Sequence, residues 1–142
     1  LGLMGEDAKD EKLIIDLLAW MHKNKADYTN TFCFLMNQNF QNKKIYNSQS
    51  FLDWKMVWQD RLKINNNSPE KSLKLMRSNN PLVIPRNHKV EEALESAISG
   101  DLNPSKNLLK ILENPYEDKK EIKKYQLPSP PRDKIYKTFC GT

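Results

Sequence analysis

The sequence predicts an all-α protein, an irregular bundle of about six short helices with an extended, proline-containing C-terminal tail. Three observations predict it. Apolar residues recur three and four positions apart in successive windows, which places them on one face of a helix. Start signals, a cap-forming Ser, Asp or Asn with or without a following proline, precede several of these windows. Breakers then separate them: Asn65-Asn66-Asn67, Asn80-Pro81, Ile84-Pro85 and Gly100-Asp101.

The first helix rests on Leu13, Ile14, Leu17, Leu18 and Met21. Glu6 and Asp7 lie near its start, where the macrodipole favours acids. Asp27 offers an N-cap for a second helix that turns Tyr28, Phe32, Leu35 and Met36 one way. The polar stretch after it reads as a loop. A third helix is predicted over residues 50–64, where Phe51, Trp54, Trp58 and Leu62 form a wide aromatic stripe. Ser68-Pro69-Glu70 combines a cap hydroxyl, proline at the first helical position and an acid in the first turn. Leu73, Leu75 and Met76 supply that helix's apolar side. Each residue before a proline avoids the helical region, so residues 80–85 are predicted to be extended. Asn87 is then placed as the cap of a helix bearing Val90, Ala93, Leu94, Ala97 and Ile98. Gly100 suits its left-handed end. Asn103-Pro104 opens a further helix with Leu108, Ile111 and Leu112 buried. Beyond Pro115 little regular structure is expected, because Pro128, Pro130 and Pro131 interrupt helix and ladder alike.

Composition bounds the function. The chain has 142 residues, 38% hydrophobic and 29% charged, and a mean hydropathy of -0.77. That is room for one domain with its own core. No apolar run reaches the roughly 18 residues that span a bilayer, so no membrane partner is expected, and nothing resembles a signal peptide. The net charge of +5 invites nucleic acid, since cations that neutralise phosphates release counterions. The lysines argue against it. They are interleaved with acids, as in Lys9-Asp10-Glu11-Lys12, the pattern of a solvated face.

Chemical candidates are few. Four glycines, none in a phosphate-cradling pattern, and no His-Arg-Asp or Asp-Phe-Gly triplet leave the chain without a catalytic or nucleotide-binding motif. His22 and His88 with the two cysteines lack zinc-site spacing, and two distant cysteines make no disulfide framework. A reducing, intracellular setting is the expectation. Arg86, Asn87 and His88 are the sharpest polar group. The functional reading is an anion or nucleotide contact through guanidinium geometry. The structural reading is a cap plus a salt bridge that fixes the chain as it crosses onto another helix, and it is favoured because Asn caps are common. The Trp54 and Trp58 rings could stack bases, but aromatics at helical spacing are more often core. Cys33, between two phenylalanines, reads as an inert thiol. Cys140 lies near Lys134 and Lys137, whose charge would favour the thiolate. A reactive and an incidental cysteine remain equal readings there.

Several pieces, taken in order, carry a resemblance. They are Leu1-Gly2-Leu3, the stretch from Ala26-Asp27-Tyr28 to Phe32, Trp54 and Trp58 with Arg61-Leu62, Asn80-Pro81, Ile84-Pro85-Arg86-Asn87-His88, Val90-Glu91-Glu92-Ala93 and Asn114-Pro115-Tyr116. Together they resemble the C-terminal part of the selenoprotein O family, pseudokinase-fold enzymes that transfer AMP from ATP to Ser, Thr or Tyr hydroxyls of proteins. The resemblance implies a larger parent in which a preceding kinase-like region holds ATP and a divalent metal such as Mg, with none of those residues on this chain. It implies residues 1–116 as a helical domain and 117–142 as a tail, partnered by that absent region and by the parent's protein substrates. Cys140 matches the near-terminal position of selenocysteine or cysteine in the family, which implies a redox role, although Cys140-Gly141-Thr142 departs from the two serines common after it. The family is cytoplasmic in bacteria and mitochondrial in eukaryotes.

The leading expectation is therefore a supporting helical portion of a protein adenylyltransferase, not itself a catalyst. Its rivals are an independent helical module that binds protein or nucleic acid through the Trp54 and Trp58 face, and a small redox protein dependent on Cys140.

Overall fold

A computed structural model describes residues 1–36, 44–64 and 68–129. Among them the chain forms seven α-helices, two 3₁₀ turns and no strand, so the all-α expectation holds. The helices are α1 (Asp10–Lys23), α2 (Tyr28–Leu35), α3 (Gln49–Ile64), α4 (Pro69–Asn79), α5 (Asn87–Ile98), α6 (Asn103–Leu112) and α7 (Lys123–Gln126). The 3₁₀ turns are Lys44–Asn47 and Lys120–Ile122. The expected stop at residues 65–67 and the tail from residue 130, with Cys140, lie outside the described residues.

The core is aromatic. Trp20 of α1 packs on Phe51 at 4.6 Å between ring centroids, Phe34 stacks on Tyr46 at 4.2 Å, and Trp54 lies parallel to Trp58 at 6.0 Å. Tyr46 comes from the 3₁₀ turn inside the segment read as a loop; it is buried and shares its hydroxyl with Thr31 at 3.1 Å. Large rings pack well in tilted or offset pairs, so a few of them fill the space between short helices.

The expected stripes are only partly inside. Of the α1 set, Leu13, Leu17 and Met21 are buried while Ile14 and Leu18 are each 42% exposed. On α5 Ala93 is buried, but Leu94 is exposed and Ile98 is 88% exposed. α5 packs chiefly on α6, so only the edge of its stripe meets the core.

Two ends follow from local chemistry. Asp27 caps α2 as its sequence position predicts, its carboxylate accepting the Asn30 N–H at 2.8 Å. Gly100, at φ 94°, closes α5: its N–H donates to the Ala97 carbonyl at 3.0 Å and that of Asp101 to Ser96 at 2.9 Å, the paired bonds of a Schellman end.

Elsewhere the caps differ from the expectation. Asn87 is the first residue inside α5 and makes no cap; Arg86 holds the extended cap position. The helix begins one residue early, and the Arg86 side chain is committed elsewhere. Ser68 precedes α4 without a side-chain cap bond; its hydroxyl turns to Glu70 and lowers the pKa of that carboxyl. Past Pro115 the structure is more regular than expected. Lys120–Ile122 and α7 return to the body, burying Ile122, Tyr125 and Gln126. Prolines further along do not forbid one helical turn before them.

Candidate functional site

Arg86 sits where the extended segment between α4 and α5 crosses the N-terminus of α2. Its Nη1 donates to Asp27 Oδ2 at 2.7 Å and its Nη2 to Asp27 Oδ1 at 3.0 Å, a bidentate fork on one carboxylate. Nη2 also reaches Asn30 Oδ1 at 3.3 Å. The same carboxylate caps α2, so one acid orders a helix start and a chain crossing together. The guanidinium is largely removed from solvent, and its Nε is buried without a partner. An anion here would compete with Asp27.

The junction extends on both sides of that pair. Asn30 Nδ2 donates to the Gln126 carbonyl at 3.1 Å, and Gln126 Nε2 donates to the Leu82 carbonyl at 2.9 Å. The Leu82 N–H in turn donates to the Pro115 carbonyl at 2.7 Å. The two proline-containing motifs around Pro81 and Pro115, 34 residues apart in sequence (115 − 81), thus meet through one backbone bond. Neither proline has an N–H to give, but both carbonyls accept: Pro81 takes the Cys33 thiol at 3.7 Å. Buried backbone groups need partners of this kind wherever no helix or ladder supplies them.

Cys33 is fully buried in this junction. Burial and the nearby Asp27 carboxylate push its thiol up to about 12, against a weaker opposing pull from Arg86. The reactive thiolate is therefore suppressed at neutral pH. His88 lies in the first turn of α5 and is buried; Asn87 beside it is exposed. The structure thus brings Arg86 together with α2, while Asn87 and His88 belong to the start of α5. Cys140 lies outside the described residues. No group of three or more His, Cys, Asp or Glu that could hold a metal occurs among the described residues.

Trp54 and Trp58 point inward. The Trp54 indole N–H donates to the Leu13 carbonyl at 2.9 Å and that of Trp58 to the Leu1 carbonyl at 2.9 Å. One turn on, Arg61 forms a second bidentate pair, with Nε to Asp10 Oδ1 at 2.6 Å and Nη2 to Asp10 Oδ2 at 2.9 Å. Nη2 also holds the Met4 carbonyl at 3.2 Å. α3 therefore ties down both α1 and the first four residues. Sequence reasoning missed Asp10, Arg61, Tyr46 and Gln126 as structural partners. The Asp10–Arg61 bond spans 51 residues, and no local spacing marks such a pair.

These features define a helical scaffold whose distinctive motif residues serve as internal ties. The comparisons give the family. The family model described as protein adenylyltransferase SelO matches residues 1–113. Relatives named protein nucleotidyltransferase YdiU align over all of this chain. That of Pelagibacter ubique (strain HTCC1062) is 51% identical over 142 residues, 29% of its own length. That of Bacillus mycoides (strain KBAB4) is 46% identical over 143 residues, again 29%. That of Alcanivorax borkumensis is 44% identical over 143 residues, 30% of its length. The chain belongs to the protein adenylyltransferase SelO family, and it spans about three-tenths of the length of these curated relatives.

Proposed function

We propose that this chain is the helical C-terminal portion of a protein adenylyltransferase that moves AMP from ATP to Ser, Thr or Tyr hydroxyls of other proteins. In this reading residues 1–116 support a preceding kinase-like region, which holds ATP and Mg and performs the transfer. Residues 117–142 carry Cys140, whose role is redox control of the parent. The observation that carries the reading is the junction itself. Its motif residues, Arg86, Pro81 and Pro115, are engaged in holding segments of this chain to one another. A part selected to brace a neighbour needs that kind of internal rigidity. The names of the relatives support the chemistry, and the chain's share of their length supports the division of labour.

Among the rivals, the nucleic-acid module loses its main support, because Trp54 and Trp58, whose rings would have had to stack bases, are buried as the core reading expected. The test is direct. Residues 1–142 alone and the whole gene product are each incubated with α-labelled ATP, Mg and a protein acceptor. Label is expected on protein only with the longer polypeptide, and Cys140→Ser should alter the response of that activity to thiol reductant. AMP transfer by residues 1–142 alone would refute the division of labour.

A further inference from the structure

An apolar groove of about 440 Å³ lies on the outer side of α1. Leu1, Leu3, Ile14, Leu18, Tyr28 and Leu75 are among the residues that line it. Four of these are large apolar side chains with substantial exposure: Ile14 and Leu18 at 42%, Tyr28 at 62% and Leu75 at 37%. Exposed apolar residues occur elsewhere, such as Ile98 on α5 and Met56 on α3. This patch adjoins Leu1, where an upstream segment of a longer polypeptide would join.

That point is fixed. The Trp58 indole holds the Leu1 carbonyl. Gly2, at φ 74°, is pressed against α4, where a Cβ would stand 2.9 Å from the Ser72 carbonyl oxygen. The first residues cannot swing away from the groove without breaking these contacts. The relatives extend over more than three times this length, so polypeptide outside residues 1–142 is available to cover it.

We propose that the polypeptide directly upstream of Leu1 lies along this groove and seats apolar side chains against Ile14, Leu18, Tyr28 and Leu75. The inference rests on the proposed place of this chain in a longer enzyme. It adds which face meets the preceding region and which part of that region comes first. A contiguous apolar patch is stabilised when covered, and a covalently adjoining segment has a high effective concentration.

The test uses Leu18→Cys and, independently, Tyr28→Cys, each in a Cys140→Ser background, with Ile98→Cys as the control. Alkylation rates are compared between residues 1–142 and the whole gene product. The expected result is at least about tenfold slower alkylation at positions 18 and 28 in the longer protein, with position 98 unchanged, because a covered thiol is withheld from reagent. Equal rates at 18 and 28 in both polypeptides, in a whole product that still transfers AMP, would overturn the groove assignment and leave the proposed function standing. A whole product without transfer activity would instead count against the function. Self-association of residues 1–142 that itself protects position 18 would assign the groove to a second copy and also overturn the proposal.

Discussion

Asp27 carries two structural roles in the junction. Its carboxylate caps α2 and receives both terminal nitrogens of Arg86. The two halves of that role can be separated by mutation. Arg86→Met removes the charge partner but leaves the cap and fills much of the same volume. Asp27→Ala removes cap and partner together, and leaves a guanidinium that is only 10% exposed without its counter-charge. An Asp cap is worth about 1 kcal/mol, and an uncompensated buried charge costs about 3–5 kcal/mol where burial is complete. Arg86 keeps 10% of its own exposure, so the lower part of that range applies. Asp27→Ala, losing cap and counter-charge together, should therefore destabilise by about 4 kcal/mol and Arg86→Met by about 1–2 kcal/mol in urea unfolding. Equal losses would mean that neither the cap nor the stranded guanidinium adds to the cost of losing the pair. The pair was half legible in the sequence. Asp27 stands at a recognisable helix start and Arg86 follows a proline, but nothing local says that residues 59 apart share a contact.

Helix ends were more legible than helix faces. Gly100 announces its own left-handed turn, whereas the equivalent end of α1 is hidden because a lysine occupies it. Lys25 stands at φ 51°, its N–H donates to the His22 carbonyl at 3.3 Å, and the Ala26 N–H donates to Met21 at 2.9 Å. This is the same Schellman pattern with a side chain where glycine is favoured. A β-carbon in the left-handed region costs about 1 kcal/mol. Lys25→Gly should raise the stability of the fold by roughly that amount, offset in part by greater freedom in the unfolded chain. Gly100→Ala should lower it by about 1 kcal/mol, since no neighbour lies within 4 Å of the new methyl and conformation alone sets the cost. Thermal melts of the two variants should thus move in opposite directions; a shift of the same sign in both would remove the argument. Faces are harder to read because periodicity gives an apolar stripe without saying what covers it. The α1 stripe is wider than the core it meets, leaving Ile14 and Leu18 outside. Trp20, outside the expected set, is inside because Phe51 and Tyr46 pack on it as tilted rings from distant segments.

At the scale of the molecule, two bidentate arginine–aspartate pairs hold elements that share no sequence neighbourhood. Arg86–Asp27 ties the crossing segment to α2, and Arg61–Asp10 ties α3 to α1 and, through Met4, to the first residues. The aromatic core fills the space between them. The second pair also gives the fold a pH dependence. Hydrogen bonding from Arg61 holds the Asp10 carboxyl below its ordinary value of 3.8, outweighing the opposing effect of burial. A carboxyl with a depressed native pKa binds fewer protons folded than unfolded, so stability rises with pH across the interval between the two values. The contribution is therefore complete above the ordinary aspartate range and is lost as pH falls below 3.8 toward the native pKa. Asp10→Asn keeps the shape of the side chain and removes the titration. It should cost about 1.5–3 kcal/mol at neutral pH, the range for hydrogen bonds to a charged group. The gap between parent and variant should then narrow progressively as the solution is acidified through that interval. Urea unfolding of both proteins across an acid series measures the gap, and one that stays constant from neutral pH to the acid end would show that Asp10 is not the titrating tie.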